Sequence, residues 1–365
     1  MRVTRTAAAT AAAISTLTLA ACSTAADPEA SPSGDDAATA QATAASSATP
    51  DAGGTVRLVT HDSFAVPDDV LAAFEAESGI DVELVQPGDA GTLVNQLVLT
   101  KDAPLGDVVY GIDNTFASRA IDNGVLAAHA STAPAAADAA DYAVPGAEDL
   151  LTAVDYSDVC LNYDLAVFPD GAPTLEELTD SAYAGMVSVT NPATSSPGLA
   201  FMLATEAALG DGWLDWWEAM RENDVRVTAS WSDTYYTDFS APNYGGSYPI
   251  VLSYASSPPY EVIDGEPTTA AMLDTCFRQV EYAGVLEGAE NPAGAQAVVD
   301  WLLSDAFQET LPENMYVYPV SSSAEVPADW AEFAPLAETP LTVDPADIDA
   351  HRDEWIADWT ATVLD

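Results

Sequence analysis

The sequence predicts an α/β protein, on three observations. Strand-like apolar runs alternate with helical stretches, polar and aromatic residues recur just past the ends of those runs, and 48% apolar content over 365 residues suffices for cores in about two domains of roughly 150 residues. Residues 55–60 (TVRLVT) alternate as a strand does, and Asp62-Ser63 then offers an N-cap for a helix around residues 70–77. Residues 81–85 (DVELV) read as a second strand, followed by the loop Gly88-Asp89-Ala90-Gly91 and a helical stretch at 93–100. Residues 107–112 (DVVYGI) read as a third. This alternation implies a parallel, doubly wound sheet, whose ligand crevice lies at the carboxyl ends of the strands. That rule singles out His61, Asp62 and Ser63, then Asp89, then Asp113 and Asn114.

The pattern repeats downstream. Residues 185–190 (GMVSVT) are strand-like, and the turn 191–198 (NPATSSPG) leads into a helix over 199–208. A hydroxyl-rich turn at a helix start presents free backbone N–H groups suited to phosphate or carboxylate, although Ser at that position equally serves as a plain helix cap. Residues 225–230 lead to Trp231 and Ser232-Asp233-Thr234-Tyr235-Tyr236, and the apolar strand 248–253 ends in Tyr254-Ala255-Ser256-Ser257-Pro258-Pro259-Tyr260. Asn291-Pro292 caps an amphipathic helix with Val298, Leu302, Leu303 and Ala306 at helical spacing, ahead of residues 315–320 (MYVYPV). Any one of these aromatics is more often core than ligand contact; their repeated placement where strands stop raises the interest.

Charge and leader bound the setting. Asp and Glu number 58 against 9 Lys and Arg, a formal charge of -49, and Lys101 is the sole lysine. A nucleic-acid partner is excluded for want of cations to displace counterions, and the acidity reads as a solvated, self-repelling surface. Arg2 and Arg5 precede an apolar run that ends in Leu19-Ala20-Ala21-Cys22, the pattern of an export signal over residues 1–21 and too short to span a bilayer. The ending resembles a bacterial lipobox, which would make Cys22 a lipidated residue anchoring an extracytoplasmic protein to the outer face of the cell membrane; an ordinary signal peptide is the alternative. Residues 22–54, nearly all Ala, Ser, Thr, Pro, Gly and Asp, read as a flexible tether. Cys160 and Cys276 then remain, an even pair outside the cell, and a disulfide between them is expected, with two buried thiols as the alternative.

At this point the residues resemble a known family. Thr60-His61-Asp62-Ser63-Phe64, Gly111-Ile112-Asp113-Asn114, Thr194-Ser195-Ser196-Pro197-Gly198-Leu199, Trp231-Ser232-Asp233, the run from Leu252 to Tyr260 and Tyr318-Pro319-Val320 look like the thiamine-binding proteins of bacterial ABC importers. The likeness runs in order from Thr55 to the C-terminus, Trp355 and Trp359 in the last helix included; each motif alone is weak, and their order is specific. The resemblance implies a type II periplasmic binding protein, two α/β lobes with a hinge and an interlobe cleft. It places lobe 1 at residues 55–158 and 275–365 and lobe 2 at 159–274, with Cys160 and Cys276 close to the hinge.

It also implies a site. Thiamine carries a permanent thiazolium cation and a flat aminopyrimidine, which aromatic faces attract and stack on for about 1 to 2 kcal/mol each when water is excluded. By resemblance Asp89 matches the acid that contacts the ligand, Ser195 the hydroxyl of the phosphate-side turn with Ser196 beside it, and Trp231, Tyr254 and Tyr260 the aromatic and hydroxyl wall. His61 stands where a tyrosine is common and Tyr316 where a tryptophan often stacks. A protonated His61 would repel the cation and weaken binding at acid pH. Ala193 lacks an arginine found in some relatives, which favours free thiamine or a mixture over its phosphates. The implied protein is a monomer that binds no cofactor and delivers thiamine to permease subunits, touching the membrane only through its lipid. Two rivals remain: a ferric-ion binding protein of the same fold using Tyr235 and Tyr236, with His61 and Asp89 welcome to a hard cation, and an extracellular hydrolase, for which no nucleophile elbow, phosphate loop or metal-ligand spacing is present and His129 and His351 lack partners.

Overall fold

Strands β1 (Gly54–Thr60), β2 (Ile80–Val85) and β3 (Val108–Asp113) alternate with helices α1 (Asp68–Ser78) and α2 (Ala90–Leu99). The computed structural model describes residues 53–242 and 244–365, so the export signal, the lipid site at Cys22 and nearly all of the tether lie outside the described residues. Strand β1 pairs parallel with β2 and with β3, and all six residues of β3 are buried, as expected of a parallel strand covered on both faces. Helix α1 covers the stretch the sequence suggests, but Asp62-Ser63 does not cap it. Pro67 holds its N-cap position without a side-chain cap, and the Ser63 hydroxyl instead pairs with His61 Nδ1 at 2.8 Å.

The expected parallel sheet needs correction, because its middle is antiparallel. The chain crosses in β4 (Thr152–Asp164), continues through β5 (Val187–Thr190), β6 (Arg226–Thr228) and β7 (Ile250–Tyr254), and returns in β8 (Phe277–Leu286). The main path runs β2-β1-β3-β8-β4-β7-β5-β6. Both β8 and β4 run against their neighbours, so two parallel sets flank an antiparallel pair. Neither long strand shows a clean apolar run, because β8 buries Glu281 and β4 buries three acids that find polar partners. Asp155 accepts from the Tyr110 hydroxyl, Asp158 holds the Arg278 guanidinium, and Asp164 accepts from Ser240 Oγ at 2.6 Å. Cys160 in β4 and Cys276 just before β8 form the expected disulfide.

Helix α3 (Ser196–Leu209) begins at the hydroxyl-rich turn with Ser195 as N-cap, and α4 (Trp213–Glu222) follows. Asn291 caps α5 (Pro292–Leu302) through Gly294 N, as its sequence suggests, but that helix stops at Leu302 and Ala306 belongs to a further short turn capped by Ser304. The last helix, α6 (Pro345–Val363), lays Trp359 against Trp217 of α4, ring centroids 5.3 Å apart in an edge arrangement worth about 1 kcal/mol beyond the buried area. One core gathers Leu93, Leu97, Phe201, Trp217 and Trp359; another gathers Val56, Tyr110, Val298, Trp301 and Phe307. Among the described residues no helix is long and apolar enough to cross a membrane.

A candidate ligand-binding site walled by aromatic rings

Four of the eight residues that the resemblance assigns to the ligand meet at one cavity: His61, Trp231, Tyr254 and Tyr316, joined by Ser63, Tyr236, Glu281, Asn314, Met315 and Val317. Its volume is about 20 Å³, room on the scale of a water molecule. Trp231 is the centre of the wall. Its indole Nε1 donates to Ser253 Oγ at 3.0 Å, its face stacks on Tyr235 at 5.0 Å and 13°, and Tyr236, Tyr254 and Tyr316 approach at 5.3, 6.1 and 6.2 Å. The segment Asp233–Asp238 is a π-helical turn, a form frequent at functional sites, and it swings Tyr235 behind the indole. Tyr316 has φ +61°, a left-handed conformation uncommon for an aromatic residue and held here by surrounding structure, since its carbonyl accepts from Ser256 Oγ. Tyr260 does not line the cavity; it lies against Tyr316 with ring centroids 3.5 Å apart.

His61 follows β1 and packs over Gly111, where an added Cβ would come within 2.4 Å of the imidazole, so glycine makes the room for this ring. Burial pulls His61 down to about 4. The imidazole is therefore neutral at neutral pH, and the acid-pH repulsion expected from sequence is displaced below the range in which an ordinary histidine titrates.

Asp89, Ser195 and Ser196 are together, but in a different place from the rings. Asp89 is the N-cap of α2 and its carboxylate accepts from three backbone N–H groups: Ala90 at 2.6 Å, Ser196 at 3.3 Å and Trp231 at 2.8 Å. The start of helix α3, which suits an anion, is thus already occupied by the protein's own carboxylate. Burial pushes Asp89 up to about 7 against the pull of those donors. Ser195 Oγ donates to Thr190 Oγ1 at 3.0 Å and caps Gly198, while Ser196 Oγ takes the Gln279 amide at 2.7 Å; both residues are buried. Thr92 N reaches Thr194 O at 2.9 Å beside Gly91, where a Cβ would meet the Thr194 carbonyl carbon at 2.7 Å.

Sequence reasoning missed Glu281. It lines the cavity from β8, is buried, and stands 3.7 Å from His61 Nε2. A lone acid between Val280 and Tyr282 was the available signal, visible only once residues 277–286 are recognised as a strand. Tyr235 and Tyr236 do not present paired phenolates. The Tyr235 hydroxyl is buried and donates to Glu261, and burial raises both phenols above their ordinary value. Among the described residues no group of three or more His, Cys, Asp or Glu could hold a metal ion. His129 and His351 do have partners, Thr152 Oγ1 at 2.9 Å and Glu354 at 3.8 Å. A roomier groove, about 640 Å³, lies between α1 and α5 over Phe74 and Trp301, and only Asp69, Glu77, Asp300 and two serines give it polarity.

With its cavity between two parallel sheet halves, the chain belongs to the bacterial extracellular solute-binding protein family, whose model matches residues 103–344. Its fold is that of the type II periplasmic binding proteins. It is 31% identical over 315 residues to the thiamine-binding periplasmic protein of Escherichia coli (strain K12), covering 84% of this chain and 92% of that one. A solved periplasmic thiamin binding protein superposes with a TM-score of 0.74 at 29% identity, over 85% of this chain and 96% of that one. Iron-bound HitA from Pseudomonas aeruginosa shares the fold at a TM-score of 0.64 and 18% identity, over 84% and 99% of the two chains.

Proposed function

We propose that the chain captures thiamine outside the cytoplasm and delivers it to the permease of an ABC importer. One observation carries this reading: the cavity has aromatic faces for walls, while its ionisable lining is one acid and a neutral imidazole, with no lysine or arginine among the residues that line it. Such a lining attracts a flat cation and offers an anion no positive partner. The relatives named as thiamine-binding support the same ligand.

A cavity this small admits the vitamin only when its walls part. Lobes at residues 55–158 with 275–365 and at 159–274 would part about the β4 and β8 crossings, where the disulfide lies, with α6 reaching across to α4. A ligand touching both lobes then favours the closed state by its differential affinity. Asp89 in the first segment, bonded to Ser196 and Trp231 in the second, acts as the latch. Because that latch fills the anion position at α3, free thiamine is the preferred form over its mono- and diphosphate. Asp89, Ser195 and Ser196 hold the closed state, His61, Trp231, Tyr254 and Tyr316 contact the ligand, and Tyr260 braces Tyr316. The protein acts as a monomer, and a lipid on Cys22 with the tether keeps it at the membrane.

Calorimetric titration with thiamine, thiamine monophosphate and thiamine diphosphate tests the reading. Thiamine should bind most tightly and quench tryptophan fluorescence; silence with all three ligands would remove it. Loss of membrane association in Cys22→Ser checks the anchor.

A further inference from the structure

We propose that Glu281 is the counter-ion of the cationic ring, making the charge contact that the sequence assigns to Asp89. The inference rests on the cavity being a site for a flat cation. Three acids stand in a row across adjacent strands: the register pairs Asp113 of β3 with Glu281 of β8, and Glu281 with Asp155 of β4. The outer two are supplied with donors. Asp113 receives Thr115 N and Oγ1, Phe116 N and Gln279 Nε2, and Asp155 receives the Tyr110 hydroxyl and shares a hydrogen bond with the Glu281 carboxyl. Asp89 is committed to its three backbone N–H groups and does not line the cavity. Glu281 is the one carboxylic acid that does.

A second feature points to the same spot. His61 Nδ1 is engaged by Ser63, while Nε2 is buried without a hydrogen-bond partner, 3.7 Å from Glu281 and on the lining of the same cavity. The groups around Glu281 are neutral or acidic from every side: His61 after β1, Tyr110 and Asp113 on β3, Asp89 at the start of α2, Asp155 on β4 and Tyr254 on β7. Arg278, on the same strand, is held by both oxygens of Asp158. Burial and the neighbouring acids therefore push the Glu281 carboxyl well above its ordinary value, toward the neutral acid. A cation in the cavity supplies the missing charge: the carboxylic acid becomes a carboxylate paired with the ring, and its proton leaves to solvent.

Calorimetry of the purified protein at neutral pH, in two buffers of different ionisation enthalpy, tests this with thiamine and with a neutral isostere whose ring nitrogen is replaced by carbon. Wild-type protein should release a proton with thiamine and none with the isostere. Glu281→Gln should lose about tenfold or more in thiamine affinity, keep its affinity for the isostere, and lose the proton release. Asp89→Asn should weaken both ligands alike. An unchanged ratio of thiamine to isostere affinity in Glu281→Gln, or a collapse of that ratio in Asp89→Asn, would overturn the assignment. If Glu281→Gln binds neither ligand, Asp89→Asn decides: proton release with thiamine alone supports Glu281, and its disappearance overturns it. Wild-type protein that binds both ligands equally sinks the counter-ion and leaves the capture of thiamine standing; wild-type protein that binds neither removes both.

Discussion

The two sides of the site each bury an acid and use it in opposite ways. On the helix-start side Asp89 is surrounded by N–H donors, so its charge is answered from within the protein and its work is to hold α2, α3 and Trp231 together. On the aromatic side Glu281 has acids and a neutral imidazole about it, so nothing in the protein favours its charged form until something positive arrives. A carboxylate's partners, more than its burial, decide whether it is a fastener or a receptor.

The largest expected effect breaks the aromatic side. Trp231→Ala removes the ring on which Tyr235, Tyr236, Tyr254 and Tyr316 converge, and calorimetry should show thiamine affinity falling about thirtyfold or more, the loss of stacking and cation–π attraction together. Asp89→Ala breaks the other side. Its three donors lose their acceptor, unfolding in urea should show a cost of about 1 to 3 kcal/mol, and affinity should fall about tenfold through loss of closure. The same change vacates the start of α3, so the preference for thiamine over its monophosphate should narrow.

The pH dependence sharpens the comparison. Asp89, Asp113, Asp155 and Glu281 are all raised by burial, so the folded protein holds protons that the unfolded chain has released. Their contribution to stability is full at acid pH and is lost as pH rises through the folded values, about 6 for Asp113 and about 7 for Asp89. His61 opposes this only below its ordinary value of 6.5. Lowering the pH from 8 to 6.5 should therefore raise the melting temperature of the ligand-free protein while weakening thiamine, because a cation binds the deprotonated acid.

The smallest effects on affinity come from outside the pair. Replacing Cys160 and Cys276 together opens a loop of 116 residues and should cost about 2 to 4 kcal/mol in urea unfolding with binding little changed. Tyr235→Phe should leave thiamine affinity within about twofold, since it keeps the ring stacked on Trp231 and removes a hydroxyl that points to Glu261.

Much of this was legible in the sequence where one physical signal dominates. The strands β1, β2 and β3 alternate or run apolar, and Ser195 and Asn291 sit where helices need a side-chain acceptor. The antiparallel centre was not, because β4 and β8 carry Asp155, Asp158 and Glu281 in their interiors and β4 ends on Asp164. Only tertiary partners, Tyr110, Arg278 and Ser240 among them, make such acids tolerable in a sheet. The same concealment explains Glu281, hidden in a strand that polarity disguises. The position of Asp89 just past a strand is legible, but its three backbone partners, 1, 107 and 142 residues away in the chain, are beyond any local pattern.

The contact at Gly91 has a practical side. Helix α2 rests there directly on the Thr194 backbone, with no thickness of side chain between, so one methyl group works as a wedge. Gly91→Ala would hold the two surfaces apart without touching an aromatic residue or an acid. On the proposed closure, that would give a handle for trapping the protein with its mouth ajar and for asking whether an importer's permease distinguishes that shape from the shut one.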